Sequence, residues 1–334
     1  MISPIKHLFI IGNGFDIEHH YKTKYDNFRI YLIEKFSITD DNQYPVPEST
    51  MMPDGDEVYD EEDIANYIVR IIDECDGEDW RNLEAYLGSN AISAMIEDLD
   101  YIEPEEESEK VFRNVFYNNE DLSKNMKDIF PYIKKYFCEW IMEYYSEFTY
   151  GIEGDSPLSR DRKEYIYNVL KDGDGFINLN YTLTLEKLYD LDESKICHIH
   201  GIVGDDNDYI FFGHGEDDLV EESLRSFGAE WNLSELKQAL RKDTGKAMQL
   251  HGDFLNQIGK DLQDIHTFGY SFSDVDFCYL EEIARRVGSK GLKLYINKFD
   301  DAKRREDTDE GHFLKKQLEK AEELGFVIEV DDRW

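Results

Sequence analysis

Apolar and polar positions follow two different patterns along the chain. The segment HLFIIG (7–12) is a short apolar run bounded by glycine, which is typical of a buried parallel strand. Residues 60–75 and 122–149 instead place apolar side chains at helical spacing, so each segment predicts a helix with one buried face. The span 31–165 is therefore predicted to be helical, apart from a proline-rich acidic loop at 44–63.

Strand-like runs return after this helical span. They are GFINLN, KICHIH, DYIFFG, DIHTFGY, LKLYIN and GFVIEV, which begin at positions 175, 195, 208, 264, 292 and 325. Helical segments, such as 232–260 and 274–287, lie between several of the runs, and this alternation predicts a parallel α/β sheet. Because the first strand stands apart from the others, we predict an α/β core of residues 1–30 and 166–334, with residues 31–165 as an inserted helical subdomain.

Composition limits the partners and the location. The 334 residues include 37 basic and 74 acidic side chains, a net charge of −37, which repels nucleic acid and anionic lipid. The four cysteines form no CxxC pair and are predicted to be reduced thiols. No stretch resembles a signal peptide or approaches the roughly 20 apolar residues of a membrane span. We therefore expect a soluble, cytoplasmic protein without a nucleic-acid or membrane partner.

The loop after the first strand carries the first candidate chemistry. Gly12 and Gly14 would let backbone N–H groups approach a ligand closely. A dinucleotide fingerprint would need a third glycine at the position of Ile17, so a tight turn without a ligand is the alternative. Asp16 follows directly, either as a helix cap or as a carboxylate that faces a ligand.

Two further strand ends carry polar side chains in the crevice where parallel sheets bind ligands. Asn178 and Asn180 point to one side after the GFINLN run, and turn or capping chemistry is the alternative role. His200 stands directly before Gly201, a position suited to acid–base chemistry, with a structural histidine as the alternative. His214 also follows a strand-like run, but no cysteine or acid stands at a strong ligand spacing, so we expect no metal.

The last strand end is the segment FGYSFSDVDFCYL (268–280). Gly269 and Ser271 end the strand, and Ser273 with Asp276 falls where helix capping occurs. Capping alone is one explanation of this segment. Four strand ends with small or catalytic-type residues in one predicted crevice favour a ligand site.

These segments together resemble the AbiH family of bacterial abortive-infection proteins. The resemblance rests on IIGNGFDIEHHYKTKYDNFR, INLNYTLTLEKLY, HIHG, FFGHG and FGYSFSDVDFCYLEEI, which occur in the family's order from residue 8 to about residue 285. Within the helical span, DWRNLEAYL (79–87) is similar to a family W-x-x-L-E segment with Trp80 and Glu84. The AbiH family is in turn similar to the SIR2-like superfamily, which implies a Rossmann-type NAD-binding core.

The resemblance also implies a role for individual residues. Asn180 and His200 match an asparagine and a histidine that act at the ribose, and Asp16 would stabilise positive charge that develops beside the scissile bond. Arg29 would offset pyrophosphate charge. The residues implied in NAD binding are Gly12, Asn13, Gly14, Phe15, Thr23, Tyr25, Phe28, Arg29, Gly269, Ser271 and Asp276. The zinc-binding cysteine pairs of sirtuins have no counterpart here, which argues against deacylation.

The implied function is that of an anti-phage effector that hydrolyses NAD⁺ to nicotinamide and ADP-ribose, with NAD as the substrate. A phage-derived trigger is implied as a partner. The tyrosine-rich helical span predicts either a homo-oligomer surface or a plain core. Two other interpretations stay open. One is a sensor that binds NAD or ADP-ribose without turnover, and the other is a metal-dependent phosphohydrolase that uses Asp16, His198, His200 and His214.

Overall fold

The computed structural model describes residues 4–39, 46–75, 80–88, 109–150, 162–204, 209–215 and 228–334. Its contacts divide the chain into two compact units. The first, here called the α/β unit, comprises Met1–Thr23, Ile141–Phe211 and Asp243–Trp334, and the second, the helical unit, comprises Lys24–Trp140 and Phe212–Lys242. These limits differ from the predicted boundaries at 30/31 and 165/166. Compactness does not test which segments fold as domains, so the domain assignment stays a prediction.

The strands in chain order are β1 His7–Ile11, β2 Thr50–Met51, β3 Glu57–Val58, β4 Gly175–Asn178, β5 Ile196–His198, β6 Asp264–Phe268, β7 Lys293–Asn297 and β8 Val327–Asp331. Six of them form one parallel sheet in the order β5-β4-β1-β6-β7-β8. Counted by their appearance in this sheet, the order is 3-2-1-4-5-6, which is the order of the Rossmann fold. The predicted Rossmann-type parallel sheet is therefore confirmed, while its assignment to the SIR2-like group stays a prediction.

Helices make up most of the remaining described chain. They are α1 Asn13–Glu18, α2 Tyr25–Phe36, α3 Glu61–Glu74, α4 Trp80–Gly88, α5 Glu109–Ile129, α6 Pro131–Tyr150, α7 Glu164–Leu170, α8 Thr184–Tyr189, α9 Glu230–Ala239, α10 Thr244–Leu250, α11 Gly252–Leu255, α12 Phe277–Val287, α13 Lys298–Lys303 and α14 Asp309–Glu323. Pro131 stands at the first position of α6, where its missing N–H costs nothing. Within the described ranges, no helix combines the length and the apolar character that a membrane crossing needs.

Strands β1 and β4 are buried on both faces of the sheet, which explains why they are predominantly apolar runs. Successive side chains of a strand point to opposite faces. Leu8 and Ile10 of β1 accordingly pack in one core cluster, and Phe9 and Ile11 pack in the other. All four side chains are at most 1% exposed. This double burial holds β1 at the centre of the sheet and fixes where its carboxyl end lies.

Two sequence predictions need correction. The predicted strand DYIFFG is not a strand over its described residues, 209–213; residue 208 lies outside the described chain. Its apolar side chains Ile210, Phe211 and Phe212 are buried all the same, and a buried connection has the same composition as a buried strand. The predicted acidic loop at 44–63 contains a short antiparallel hairpin of β2 and β3. The four cysteines are free thiols, as predicted.

Candidate functional site

Two loops of the α/β unit cross where the strand order reverses, at the carboxyl ends of β1 and β6. The Gly12 N–H donates to the Phe268 carbonyl at 2.9 Å, and the Gly14 N–H donates to the Gly269 carbonyl at 3.2 Å. A Cβ atom on Gly12 would lie 2.4 Å from the Gly269 oxygen, and one on Gly14 would lie 2.6 Å from Gly269 Cα. Gly269 itself has a φ of +62°. Close backbone packing therefore requires these three glycines, whatever they bind.

Asp16 lies inside this loop region, on α1, and is 1% exposed. Its Oδ2 accepts the Thr182 hydroxyl at 2.6 Å, and its Oδ1 accepts the Thr184 hydroxyl at 2.7 Å. Burial raises the pKa of Asp16 to about 6, although the two threonine hydrogen bonds oppose the shift. The carboxylate thus ties α1 to the chain after β4. Its predicted place beside a ribose stays a prediction.

Asn180 joins the ends of β1 and β4. Its Nδ2 donates to the Gly12 carbonyl at 3.1 Å, and its backbone N–H donates to Asn178 Oδ1 at 3.0 Å. The second contact is an Asx-type turn, which explains the alternation of the two asparagines in the sequence. Asn180 is 5% exposed. The sequence therefore located it correctly at the strand end, and the fold places it on the glycine loop.

His200 follows β5 and is 2% exposed. Its Nδ1 lies 3.1 Å from the Leu179 carbonyl, which can only accept, so the ring proton belongs on Nδ1. Its Nε2 faces the Tyr279 hydroxyl at 3.1 Å and Asp276 Oδ1 at 3.3 Å. Burial raises the pKa of Tyr279 well above its ordinary value, so this hydroxyl keeps its proton.

Asp276 is held in turn by Ser273, whose hydroxyl donates to Asp276 Oδ2 at 3.1 Å. The segment after β6 therefore presents a carboxylate to the histidine that follows β5. Ser273 was predicted to cap a helix, and its Oγ accepts the Asp276 N–H at 3.3 Å. The predicted contact of Asp276 with a ligand stays a prediction.

Sequence reasoning missed Glu186 and His251, which lie near these side chains. Glu186 Oε1 lies 2.7 Å from His198 Nε2, and His198 Nδ1 lies 3.4 Å from the Asn180 carbonyl. Glu186 belongs to the segment INLNYTLTLEKLY, but its spacing from other polar residues does not mark it as a site residue. His251, between α10 and α11, is the second missed residue. Burial, followed by the charges of His198 and His200, lowers the pKa of His251, so it lies in the same electrostatic environment.

A family comparison decides the identity of the chain. The model of the family described as bacteriophage abortive infection AbiH matches residues 8–298. The chain belongs to the AbiH family. The matched span includes Asp16, Asn180, His200 and Asp276. Membership of the family supports a role in anti-phage defence. No curated protein and no solved structure matches this AbiH protein.

Several residues predicted to bind NAD have other contacts in the α/β unit of this AbiH protein. Phe15 is fully buried and packs against Tyr189 and Phe268, with ring centroids 5.6 and 5.4 Å away. Asn13 donates through Nδ2 to the Thr23 carbonyl at 3.0 Å and so closes the turn after α1. Phe15 is thus a core residue, and Asn13 holds the loop. Whether Thr23 also contacts a ligand stays a prediction.

Ser271, by contrast, is exposed at the strand end. The next residue, Phe272, is fully buried and has a φ of +52°, an unusual conformation for a bulky side chain. Such backbone persists only where the surroundings enforce it. Its ring packs against Tyr270 at a centroid distance of 4.4 Å. The loop after β6 therefore presents Ser271 outward on a constrained backbone.

The remaining predicted binding residues belong to the helical unit. Tyr25 and Phe28 are buried on α2, where the Phe28 ring packs 5.5 Å from Trp140. Arg29 makes a two-pronged pair with Asp73, with Nη2 2.9 Å from Oδ2. Its charge is therefore already matched within the helical unit, and its predicted pyrophosphate contact stays a prediction.

Residues of the W-x-x-L-E and FFGHG segments lie close together in the helical unit. Lys242 Nζ lies 2.8 Å from Glu84 Oε1, a buried ion pair. The His214 ring fits against Gly88, where a Cβ atom would lie 2.9 Å from the ring, and His214 Nε2 donates to the Lys237 carbonyl at 3.0 Å. The side chain of Trp80 lies outside the described residues.

The donors proposed for a metal-dependent phosphohydrolase are engaged elsewhere. Both Asp16 oxygens accept threonine hydroxyls, and His200 uses both ring nitrogens. Over the described part of the chain, no three histidine, cysteine or acidic side chains are grouped as a metal site requires. The arrangement instead suits proton transfer and the orientation of a polar ligand.

Proposed function

We propose that this AbiH protein hydrolyses NAD⁺ to nicotinamide and ADP-ribose as its step in anti-phage defence. The proposal rests on the convergence of Asn180 and His200 beside the glycine crossing, which is the place where the N–H groups of Gly12 and Gly14 donate to carbonyls at the end of β6. The carbonyl that fixes the His200 ring belongs to Leu179, the neighbour of Asn180. Rossmann sheets bind dinucleotides in this crevice, outside the carboxyl ends of the strands where their order reverses.

The chemistry of the bond suits these side chains. Cleavage of an N-glycosidic bond passes through an oxocarbenium-like state, and nicotinamide leaves as a neutral molecule, so no general acid is needed. His200, with its proton on Nδ1, accepts a proton at Nε2 from a ribose hydroxyl or from the attacking water. Asp276 then stabilises the imidazolium that forms, and Asn180 orients the ribose or the water through its amide.

One observation favours a second candidate. Asn180 and His200 are 5% and 2% exposed, and both are bonded within the protein. A ligand reaches these two side chains only after the groups bonded to them move. A sensor that binds NAD⁺ or ADP-ribose without turnover is therefore the second candidate, and an enzyme opened by a phage-derived trigger is the first.

The test follows nicotinamide release from NAD⁺, with and without extract of phage-infected cells. We expect release by the wild type and a loss of about 10²–10⁴-fold in His200→Ala, the usual contribution of general acid–base catalysis. Asn180→Ala should also lose turnover. His312→Ala and Asn168→Ala, at exposed positions of the α/β unit, are the matched controls and should retain it.

Calorimetry with NAD⁺ on the same samples separates the two candidates. Tight binding with the NAD⁺ left intact under both conditions would favour the sensor and refute hydrolysis. Folded wild-type protein that neither binds nor cleaves NAD⁺ would refute both. Equal turnover in wild type and His200→Ala would refute the assignment of the base.

A further inference from the structure

We propose that Asp16, Thr182 and Thr184 form a proton-dependent clasp that positions Asn180. Asp16 is in this view a positioning residue that acts through the two threonines and not a group that touches the ribose. The effect on turnover rests on the proposed function. The clasp itself is testable without any ligand.

The clasp is a closed ring of three oxygen–oxygen contacts. Asp16 Oδ2 lies 2.6 Å from the Thr182 hydroxyl, the Thr182 hydroxyl lies 3.0 Å from that of Thr184, and the Thr184 hydroxyl lies 2.7 Å from Asp16 Oδ1. All three distances are within hydrogen-bond range. The three residues are 1%, 6% and 1% exposed, so water has little access to any of the contacts.

The number of hydrogens decides when this ring is complete. Each threonine hydroxyl supplies one hydrogen, and an ionised carboxylate supplies none. With Asp16 ionised, both hydroxyl hydrogens point to the carboxylate, and the contact between Thr182 and Thr184 has no hydrogen in it. With Asp16 protonated, three hydrogens serve the three contacts, and each group donates once around the ring. The clasp is therefore fully hydrogen-bonded only in the protonated state.

The surroundings place this titration near neutral pH. Burial raises the pKa of Asp16 to about 6, the two threonines and His198 oppose the shift, and Glu186 adds to it. His198, from β5, and Glu186, from α8, are the charged groups that face the carboxyl. They lie 2.7 Å apart, and they act on the pKa of Asp16 in opposite directions. Burial therefore remains the main cause of the raised pKa.

The clasp bears on Asn180 through the chain. Thr182 is two residues beyond Asn180, whose amide holds the Gly12 carbonyl at 3.1 Å. Gly12 and Asp16 lie at opposite ends of the first turn of α1 and thus on one short rigid segment. The turn that carries Asn180 is consequently anchored to this segment at two points. Ionisation of Asp16 leaves both threonine bonds to the carboxylate in place but removes the hydrogen between Thr182 and Thr184. The two threonines are then held less rigidly, and the amide direction of Asn180 becomes less well defined.

The decisive variants keep the shape of the ring and change its hydrogens. Asp16→Asn replaces the carboxyl by an amide that donates and accepts, so its ring stays complete at every pH. Thr182→Val and Thr184→Val each remove one hydroxyl at nearly constant volume. Asp300→Asn is the matched control, because Asp300 is a second buried carboxyl, on α13, whose pKa burial raises to about 7.

The first readout is the infrared band of protonated carboxyl groups in D₂O, titrated from pH 5 to 8. We expect a component that disappears with a midpoint near pH 6, is missing in Asp16→Asn and persists in Asp300→Asn. The midpoint should move upward in Thr184→Val, which loses a hydrogen bond to the ionised form, and Thr182→Val repeats this test if Thr184→Val does not fold. Identical titrations in wild type and Asp16→Asn would overturn the clasp.

The second readout is the pH profile of kcat for nicotinamide release. A positioning role predicts that Asp16→Asn loses the step near pH 6 but less than about tenfold in kcat. Direct stabilisation of the ribose cation by Asp16 would instead cost Asp16→Asn about 10²–10³-fold at every pH, and this result would overturn the positioning role. If wild type releases no nicotinamide, the proposed function fails while the infrared titration still decides the clasp.

Discussion

Replacing Lys242 by methionine removes one partner of the buried ion pair in the helical unit. Its side chain and that of Glu84 are 3% and 11% exposed, and their charged atoms are 2.8 Å apart. At an effective dielectric constant of 20, the attraction between two unit charges at this distance is about 6 kcal/mol. Desolvation of both groups offsets much of it. Because Lys242→Met removes the cation 2.8 Å from a buried carboxylate, we expect it to lower the free energy of unfolding by about 3–5 kcal/mol.

An exposed ion pair in the same unit provides the matched control. Arg29 and Asp73 form a two-pronged pair, but their side chains are 29% and 45% exposed. Solvent screens such a pair, so Arg29→Met should cost about 0–1 kcal/mol. The double variant Lys242→Met with Glu84→Leu removes the buried carboxylate as well and should recover most of the loss.

Urea unfolding at 25 °C, followed by far-UV circular dichroism, measures these differences. The two compact units can unfold separately, so each transition is fitted by itself. A cost for Lys242→Met no larger than that for Arg29→Met would refute the argument from burial. A double variant as unstable as Lys242→Met alone would show that the loss comes from packing and not from the charge of the Glu84 carboxylate.

Three further predictions concern the α/β unit. Gly12→Ala places a methyl group 2.4 Å from the Gly269 carbonyl oxygen, and thermal melts should show a loss of about 1–3 kcal/mol. Burial alone would lower the pKa of His266, but hydrogen bonds to two aspartates raise it, so protonated His266 stabilises the fold. This stabilisation is present below about pH 6.5 and is lost as the pH rises through the raised pKa. Urea unfolding at pH 6 and 8 should show the difference in the wild type and not in His266→Gln. The pKa of Asp16 is raised from 3.8 to about 6, so the free energy of unfolding should fall by about 3 kcal/mol as the pH rises from about 4 through 6. Urea unfolding of Asp16→Asn across that pH range should not show this fall.

The central strands β1 and β4 were predictable because they are buried on both faces. A continuous apolar run such as HLFIIG signals such a strand directly, and glycine or polar residues mark its ends. The same signal failed for DYIFFG, since the buried connection at 209–213 needs the same apolar side chains. His214, directly after this connection, forms an isolated bridge with Arg241, which lies 27 positions further along the chain. Composition carries no information about such a partner.

The candidate site was predictable only as a set of strand ends. The carboxyl ends of parallel strands meet at one edge of a sheet, so the sequence alone predicts that Asn180 and His200 lie at the same edge. Which groups hold them is decided by pairings between distant segments. The contact of Asp276 with His200 and the contact of Glu186 with His198 are of this kind. Nothing in the sequence relates Thr182 and Thr184 to Asp16, because their contacts also join distant segments.

The contacts at the glycine crossing bear directly on how the proposed enzyme would be controlled. A pyrophosphate at a Rossmann switch point is held by backbone N–H groups. Here the N–H groups of Gly12 and Gly14 already donate to carbonyls of the loop after β6 and at its strand end, and Asn180 and His200 are bonded internally as well. The chain's net charge of −37 makes an anionic ligand still harder to admit without free donors. Under the proposed function, NAD⁺ can therefore bind only when the crossing opens, and a trigger that opens it becomes a physical requirement of the reaction.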